Sequence, residues 1–400
     1  MNHVNISKSI FHVTASNFFA KFIYGIIMLL IIRYSSYEEY ADYTFYISIV
    51  SIVSGFFISG VNNVFIAGHT ELQDESSYVL SQILFCIASI MSISMAYSLS
   101  YTSTLSLILL CTAMCLSDFI KTIYQQRLIF SKYIHVEISR VCIYAILIYF
   151  LLIYYQFNLF AHCVLFANAM AFFLIAIIHI GHLFNANEIL NINKLCVLWK
   201  KILATKYKYL LMYILILTIL GQINPFLLKW RASYLDLAVY GVAFQFYNIY
   251  GLILNSIHTV FFPGMVNAST KEDYSAFFKL QKKIILGIVP LVILCDVFII
   301  YFIHYYFDGR YDTANNIFII LSISSVLSVI LSPYMNIVIK HTDYKTLLLV
   351  SIIALTWSLL GGIALFESSG VLGLSVSMLI GYFIINAYGY ITAKSIIQNL

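Results

Sequence analysis

Three ionisable side chains lie in stretches that are otherwise almost wholly apolar: Lys21 within Ile10–Ile32, Asp296 within Ile284–Tyr305, and Arg140, beside Glu137, near the start of His135–Tyr155. A charge at the centre of hydrocarbon costs at least about 2.5–3.5 kcal/mol on the insertion scale, so each must face protein or a water-filled cavity. Lys21 and Arg140 are the residue types that hold an anionic group. Asp296, shortly after Pro290, is the type that loads and releases a proton or a sodium ion. A structural ion pair or a snorkelling side chain is the alternative for Arg140 and for Asp118, both near span ends.

A second set is neutral. Asn248 and Asn255, with Gln245, project from a similar side of the run Val239–Phe262, and Gln222 and Asn224 lie in the run before it. An amide-bearing face of this kind suits a sugar or the wall of a wet cavity, and hydrogen bonding between helices accounts for it almost as well. No catalytic residues are assigned, because Ser/His/Asp spacing, paired exposed carboxylates, HExxH and a glycine-rich phosphate loop are all missing from the sequence. The seven cysteines lack zinc-ligand spacing, and Cys111 and Cys115 read as small packing residues on one helix face. No metal site and no cofactor are expected, and the chain does not read as an enzyme.

The elements that position these residues follow from composition. Of 400 residues 62% are hydrophobic and only 10% charged, against roughly a quarter charged in soluble domains. At roughly 20 residues per membrane-spanning helix this gives about twelve spans. They are placed at Ile10–Ile32, Tyr43–Phe65, Tyr78–Leu99, Leu105–Ile120, His135–Tyr155 and Leu159–Ile180, then Leu210–Leu228, Val239–Phe262, Ile284–Tyr305, Ala314–Ile337, Leu347–Phe366 and Val371–Ala393. Too little chain is left for a nucleotide-binding domain. The first run is too long for a signal-peptide core and is expected to stay as a helix.

With the first helix entering from the cytoplasm, about sixteen of the 22 Lys and Arg residues fall on the cytoplasmic side, Lys121 counted among the loop cations there. Both termini are therefore expected in the cytoplasm, and the net charge of +5 is membrane topology rather than nucleic-acid binding. The segment 181–209 mixes Leu195, Val197, Leu198 and Trp199 with Lys194, Lys200 and Lys201, as an amphipathic linker on the membrane surface does, against anionic lipids. It divides a six-helix lobe, 1–180, from a second, 210–400.

The two lobes echo each other. Arg33-Tyr34-Ser35-Ser36-Tyr37 leads to Tyr43, as Lys229-Trp230-Arg231-Ala232-Ser233-Tyr234 leads to Tyr240, which suggests a parallel repeat about an axis along the membrane normal. All four prolines lie in the second half, where they permit kinks. Gly373, Ser377, Gly381 and Gly389 recur at multiples of four, a stripe that lets another helix approach closely.

Several short stretches carry a family resemblance: Ile31-Ile32-Arg33-Tyr34-Ser35-Ser36-Tyr37-Glu38-Glu39-Tyr40, Ala238-Val239-Tyr240-Gly241-Val242-Ala243 and Val260-Phe261-Phe262-Pro263. To these are added Phe307-Asp308-Gly309-Arg310-Tyr311 with Ala314, Gly370-Val371-Leu372-Gly373, and Tyr124-Gln125-Gln126-Arg127 with Lys132-Tyr133. In order and spacing the chain resembles the Wzx-type O-antigen flippases of the polysaccharide transport family, within the multidrug/oligosaccharidyl-lipid/polysaccharide exporter superfamily. The resemblance implies an all-α, MATE-like membrane protein of two six-helix lobes in the bacterial inner membrane. It implies that an undecaprenyl-pyrophosphate-linked O-antigen oligosaccharide crosses to the periplasmic leaflet by alternating access. The implied partners are this lipid-linked substrate, membrane lipids, a coupling proton or sodium ion and other polysaccharide-assembly proteins. Two alternatives stay open. One is a polymerase- or ligase-type membrane glycosyltransferase, against which the short outside loops speak; the other is a drug/cation antiporter of the same superfamily.

Overall fold

The structure, a computed structural model, describes residues 3–62, 75–127, 129–180, 199–200, 204, 207–267, 270–341 and 344–399, and among these it contains helices and turns but no strand. The helices in chain order are α1 (His3–Tyr34), α2 (Tyr37–Val53), α3 (Glu75–Ala96), α4 (Tyr101–Gln126), α5 (Phe130–Tyr154) and α6 (Ala161–Ile180). They continue as α7 (Tyr207–Arg231), α8 (Tyr234–Asn267), α9 (Lys271–Tyr306), α10 (Ala314–His341) and α11 (Tyr344–Asn399). Eleven of the twelve apolar runs fall on these helices to within three residues at either end, the last two on the two arms of α11; the second, Tyr43–Phe65, begins on α2, and its residues 63–65 lie outside the described residues. Those arms meet at Gly370, whose φ of +58° is open to glycine at no steric cost. The chain is an all-α protein of membrane-spanning character: nine of the described helices are long and apolar enough to cross a bilayer.

The helices outrun the hydropathic runs, because hydropathy marks the first charge and a helix continues past it. Lys271, Lys279, Lys282 and Lys283 all lie on α9, whose start is fixed by a capping box of Thr270 with Asp273. Lys121, expected in a loop, lies inside α4. Helices α7, α9 and α10 run through Pro225, Pro290 and Pro333.

Contacts divide the chain into two compact units, Met1–Leu215 and Ile216–Leu400, with the division inside α7. In the first unit α2 continues as a π-helical turn, Ser54–Gly60. There Gly60 lets α7 approach, since a Cβ would sit 3.2 Å from the Leu211 side chain. Of the expected linker 181–209, residues 181–198, 201–203 and 205–206 lie outside the described residues. Trp199 packs its ring 4.9 Å from Phe85 and against a core of Val61, Tyr78, Phe119, Ile123 and Leu211.

The echoed sequences form matching corners. Both α1–α2 and α7–α8 are joined by two residues. Ser36 accepts the Glu39 amide at 3.1 Å, and Ser233 accepts the Asp236 amide at 3.1 Å, a serine N-cap with an acid in the first turn at each corner. Glu39 also accepts the Ala161 amide at 2.6 Å, capping α6. Seven residues beyond each capping serine sits a fully buried tyrosine on a methionine sulfur: Tyr43 on Met28 at 3.2 Å and Tyr240 on Met378 at 3.6 Å.

In the second unit the small-residue stripe does what its spacing requires. A Cβ at Gly373 would run into the Leu365 carbonyl, and one at Gly381 into the Ser358 hydroxyl, so the two arms of α11 pack closely, backbone against backbone at Gly373. Ser377 donates to the Ser358 carbonyl at 3.3 Å. Replacing Gly373 with leucine is expected to cost about 1–3 kcal/mol through overpacking against backbone. Gly287→Ala, where nothing lies within 4 Å of the new Cβ, is expected to leave thermal unfolding in detergent unchanged or slightly raised. Equal midpoints for the two variants would contradict this packing account.

Candidate functional site

The first unit holds an ion-pair chain inside its helix bundle. On α4, Asp118 and Lys121 lie at i, i+3, with Lys121 Nζ 2.6 Å from Asp118 Oδ1. On α5, Glu137 and Arg140 have the same spacing, with Arg140 Nη2 2.7 Å from Glu137 Oε1. Lys121 Nζ also reaches Glu137 Oε2 at 2.9 Å, so one lysine and one glutamate tie the two helices together. Breaking a buried pair leaves a lone charge behind, which costs far more than the net worth of the pair.

Arg140 is the least satisfied member. It is only 9% exposed, its guanidinium carbon sits 4.5 Å from the Phe172 ring centroid on α6, and its Nε has no hydrogen-bond partner among the described residues. A guanidinium carries five donors in a rigid fork. Here glutamate takes Nη2, the aromatic ring covers a face, and the Nε donor is left over.

Lys21 reaches the same place from α1. It is exposed and lies within the electrostatic field of Glu137 without a contact ion pair among the described residues. Lys21 and Arg140 each precede the end of their helix by about 20 Å at 1.5 Å per residue. Tyr24 shares a helix face with Lys21, and Tyr144 shares one with Arg140. The two tyrosine rings are 6.0 Å apart and meet buried Tyr43 from α2. Residues from α1, α2, α4, α5 and α6 thus converge on a cationic, hydroxyl-bearing region with three cations, two carboxylates and an unused guanidinium donor. Such a region can hold an oxyanion.

In the second unit Asp296, half-buried on α9, accepts from the Tyr250 hydroxyl of α8 at 2.5 Å and from Ser322 of α10 at 2.9 Å and 2.7 Å to its two oxygens. Tyr250 is itself held by stacking on Phe318, with centroids 6.0 Å apart. No Lys or Arg pairs with Asp296 among the described residues. A carboxylate and two hydroxyls form an oxygen set of the kind hard cations take.

The amides divide. Asn224, 1% exposed, donates to Tyr240 and to the Leu374 carbonyl, both at 3.3 Å, so it is an interhelical bond and not a cavity wall. Asn248 is exposed on α8. Asn255 lies on α8 with its side chain outside the described residues. Lys21 and Arg140 therefore come together in one unit, while Asp296 belongs to the other. Lys121, Glu137, Tyr250 and Ser322 are the members that hydropathy alone did not single out. The signal for the first two was the pair of i, i+3 opposite charges just inside adjoining spans.

No protein-family model matches the sequence, and no curated protein matches it. Solved structures do match in fold. The lipid II flippase MurJ in an inward closed conformation aligns at TM-score 0.74 and 14% identity, covering 96% of this chain and 87% of that one. An inward-facing MATE-family multidrug resistance transporter aligns at TM-score 0.64 and 11% identity, over 95% of each chain. A Vibrio cholerae MATE transporter aligns at 0.60 and 14%, over 99% and 98%. The chain has the fold these proteins share.

Removing the bridging cation tests the ion-pair chain. Lys121→Ala leaves Asp118 and Glu137 without their shared partner and is expected to cost about 3–5 kcal/mol, read as a lowered thermal midpoint in detergent, with Lys121→Arg retaining most of the stability. A Lys121→Ala protein as stable as wild type would mean that these charges are solvated and not paired.

Proposed function

We propose that this protein is a flippase that carries an undecaprenyl-pyrophosphate-linked O-antigen oligosaccharide from the cytoplasmic to the periplasmic leaflet of a bacterial inner membrane, with both chain termini in the cytoplasm. The observation that carries the reading is Arg140, a nearly buried guanidinium with an unused donor edge, placed beside Lys21 in a fold shared with a lipid II flippase. A pyrophosphate is the oxyanion that such a fork binds best, since charge-assisted bonds to planar donors are the strong ones. The polyprenyl tail needs no site of its own, because it can stay in the bilayer while the headgroup crosses. Translocation makes and breaks no covalent bond, so no catalytic residue or cofactor is called for.

Asp296 with Tyr250 and Ser322 is the proposed coupling site, taking a proton or a sodium ion. A transporter gains direction only if an ion binds its two states unequally, and a carboxylate held by neutral hydroxyls on two other helices makes such binding sensitive to small helix movements. Asn248 and Asn255 are the proposed contacts to the sugar.

The test is complementation in a strain that lacks its own O-antigen flippase and makes the matching lipid-linked repeat unit, at equal membrane abundance of each variant. Wild type is expected to restore surface polysaccharide. Lys21→Ala and Arg140→Leu are expected to lower it roughly 10–150-fold, the value of one charge-assisted hydrogen bond. Asp296→Asn is expected to abolish the response to an imposed proton or sodium gradient while headgroup binding persists. Failure of the wild type with verified expression and matched substrate overturns the flippase reading and favours the drug/cation antiporter.

A further inference from the structure

Glu137 occupies an unusual place in the cationic region, for it is an anion built into a site read as taking an anion. Its two oxygens serve different cations on different helices: Oε1 holds Arg140 on its own helix at 2.7 Å, and Oε2 holds Lys121 of α4 at 2.9 Å. Lys121 in turn has a second carboxylate, Asp118, at 2.6 Å. The two contacts of Glu137 are therefore not equivalent. If Glu137 lets go of Arg140 it still has Lys121, and Lys121 is still doubly paired. The lysine side of the chain is a fixed anchor, whereas the arginine side can open without stranding Glu137, provided that an arriving oxyanion takes its place on Arg140.

The same asymmetry holds for Arg140. Its plane is fixed by Phe172 at 4.5 Å, so it does not swing away when one edge is released. Its Nε edge is unpartnered among the described residues, and Lys21 stands in the field of Glu137. An arriving oxyanion meets exposed Lys21 first and the buried Nε donor of Arg140 after it. It then competes with Glu137 for the rest of the fork, since both ligands are acceptors and the guanidinium has a limited set of donors. The negative charge of Glu137 also repels the incoming anion at short range, where screening by salt is weak.

We propose that Glu137 is an internal competitor for the anion site: it holds Arg140 when the site is empty, yields it when a pyrophosphate binds, and takes it back to expel the headgroup. This rests on the reading of Lys21 and Arg140 as the phosphate site and adds a positioning residue that governs release. It follows that the protein sacrifices affinity for turnover. A site of three cations without Glu137 would hold a pyrophosphate tightly and discharge it slowly, because a transporter that stabilises its bound state too well raises the barrier to the next step. The inference also gives the sign of a mutational effect that a merely structural glutamate would reverse. If Glu137 only oriented Arg140, its loss would weaken binding.

The experiment measures binding of radiolabelled undecaprenyl pyrophosphate to purified full-length protein in detergent, together with the concentration dependence of flipping of the pyrophosphate-linked oligosaccharide in proteoliposomes. Glu137→Gln is expected to bind the probe about tenfold or more tightly than wild type, as removal of one nearby like charge requires. Its half-saturating concentration and its maximal rate are both expected to fall. Glu137→Asp, which keeps the charge and retracts it by one methylene from Arg140, serves if the amide variant does not fold, and is expected to fall between the two. Affinity unchanged or weakened in a folded Glu137 variant, with wild type binding the probe, overturns the inference and leaves the phosphate site standing. Absence of binding by wild type overturns the phosphate site itself and the inference with it. Retained tight binding in a Glu137→Gln, Arg140→Leu double variant also overturns it, since the competition is for Arg140.

Discussion

The cost of holding charge in hydrocarbon governs the first unit. An isolated cation near the bilayer centre is unfavourable by an amount between about 3 and 17 kcal/mol, depending on how far it can snorkel. Asp118, Lys121, Glu137 and Arg140 avoid that cost by pairing in sequence across α4 and α5. The chain of pairs fixes the relative position of those two helices, and Phe172 brings α6 to the same point through its ring. The arrangement is not neutral, however. With Lys21 it carries more positive charge than negative, and Arg140 retains an unused donor. The Nε donor, on a residue 9% exposed, is what the proposed binding site would use. In the proposed reading the same residue belongs to the scaffold through Glu137 and to the headgroup through Nε.

The second unit solves a related problem by other means. Asp296 is kept by hydroxyls and not by a cation, so its charge is stabilised by dipoles that an arriving ion can share. Elsewhere in this unit the two arms of α11 approach closely at Gly373 and Gly381, where a Cβ would meet the facing arm. Corners with the same capping chemistry, Ser36 with Glu39 and Ser233 with Asp236, start α2 in one unit and α8 in the other. Tyr43 and Tyr240 then sit at the same register behind them. The two units share this corner plan and differ in the charges they hold, cations paired with carboxylates in the first and a carboxylate held by hydroxyls in the second.

Much of this was legible in the sequence. Long apolar runs gave the spans because bilayer thickness imposes helix length. The corners were visible as an echo, Arg33 to Tyr37 leading to Tyr43 and Lys229 to Tyr234 leading to Tyr240, whereas their serine caps show only in the structure. Lys21, Arg140 and Asp296 stood out since polar residues in apolar runs are expensive. The partners were harder to read. Lys121 looked like a loop cation, because the apolar run gives way there to polar residues, yet the helix continues and the charge is paired across to α5. Tyr250 and Ser322 gave no signal at all: tyrosine and serine abound here, and only the packing of α8, α9 and α10 brings these two to one carboxylate. Asn224 shows the opposite limit, because an amide in a span reads the same whether it faces a cavity or, as here, closes a bond to Tyr240 and the Leu374 carbonyl.

The account stands or falls on whether the buried cations handle an anionic headgroup during passage across the bilayer. The most direct measurement places two lipids with the same oligosaccharide, one joined through pyrophosphate and one through a neutral linkage, in one leaflet of proteoliposomes and follows their arrival in the other with a membrane-impermeant lectin. Protein-dependent movement of the pyrophosphate-linked lipid alone, lost in Arg140→Leu, is the expected result. Movement of both lipids at equal rates, or of neither, would contradict it.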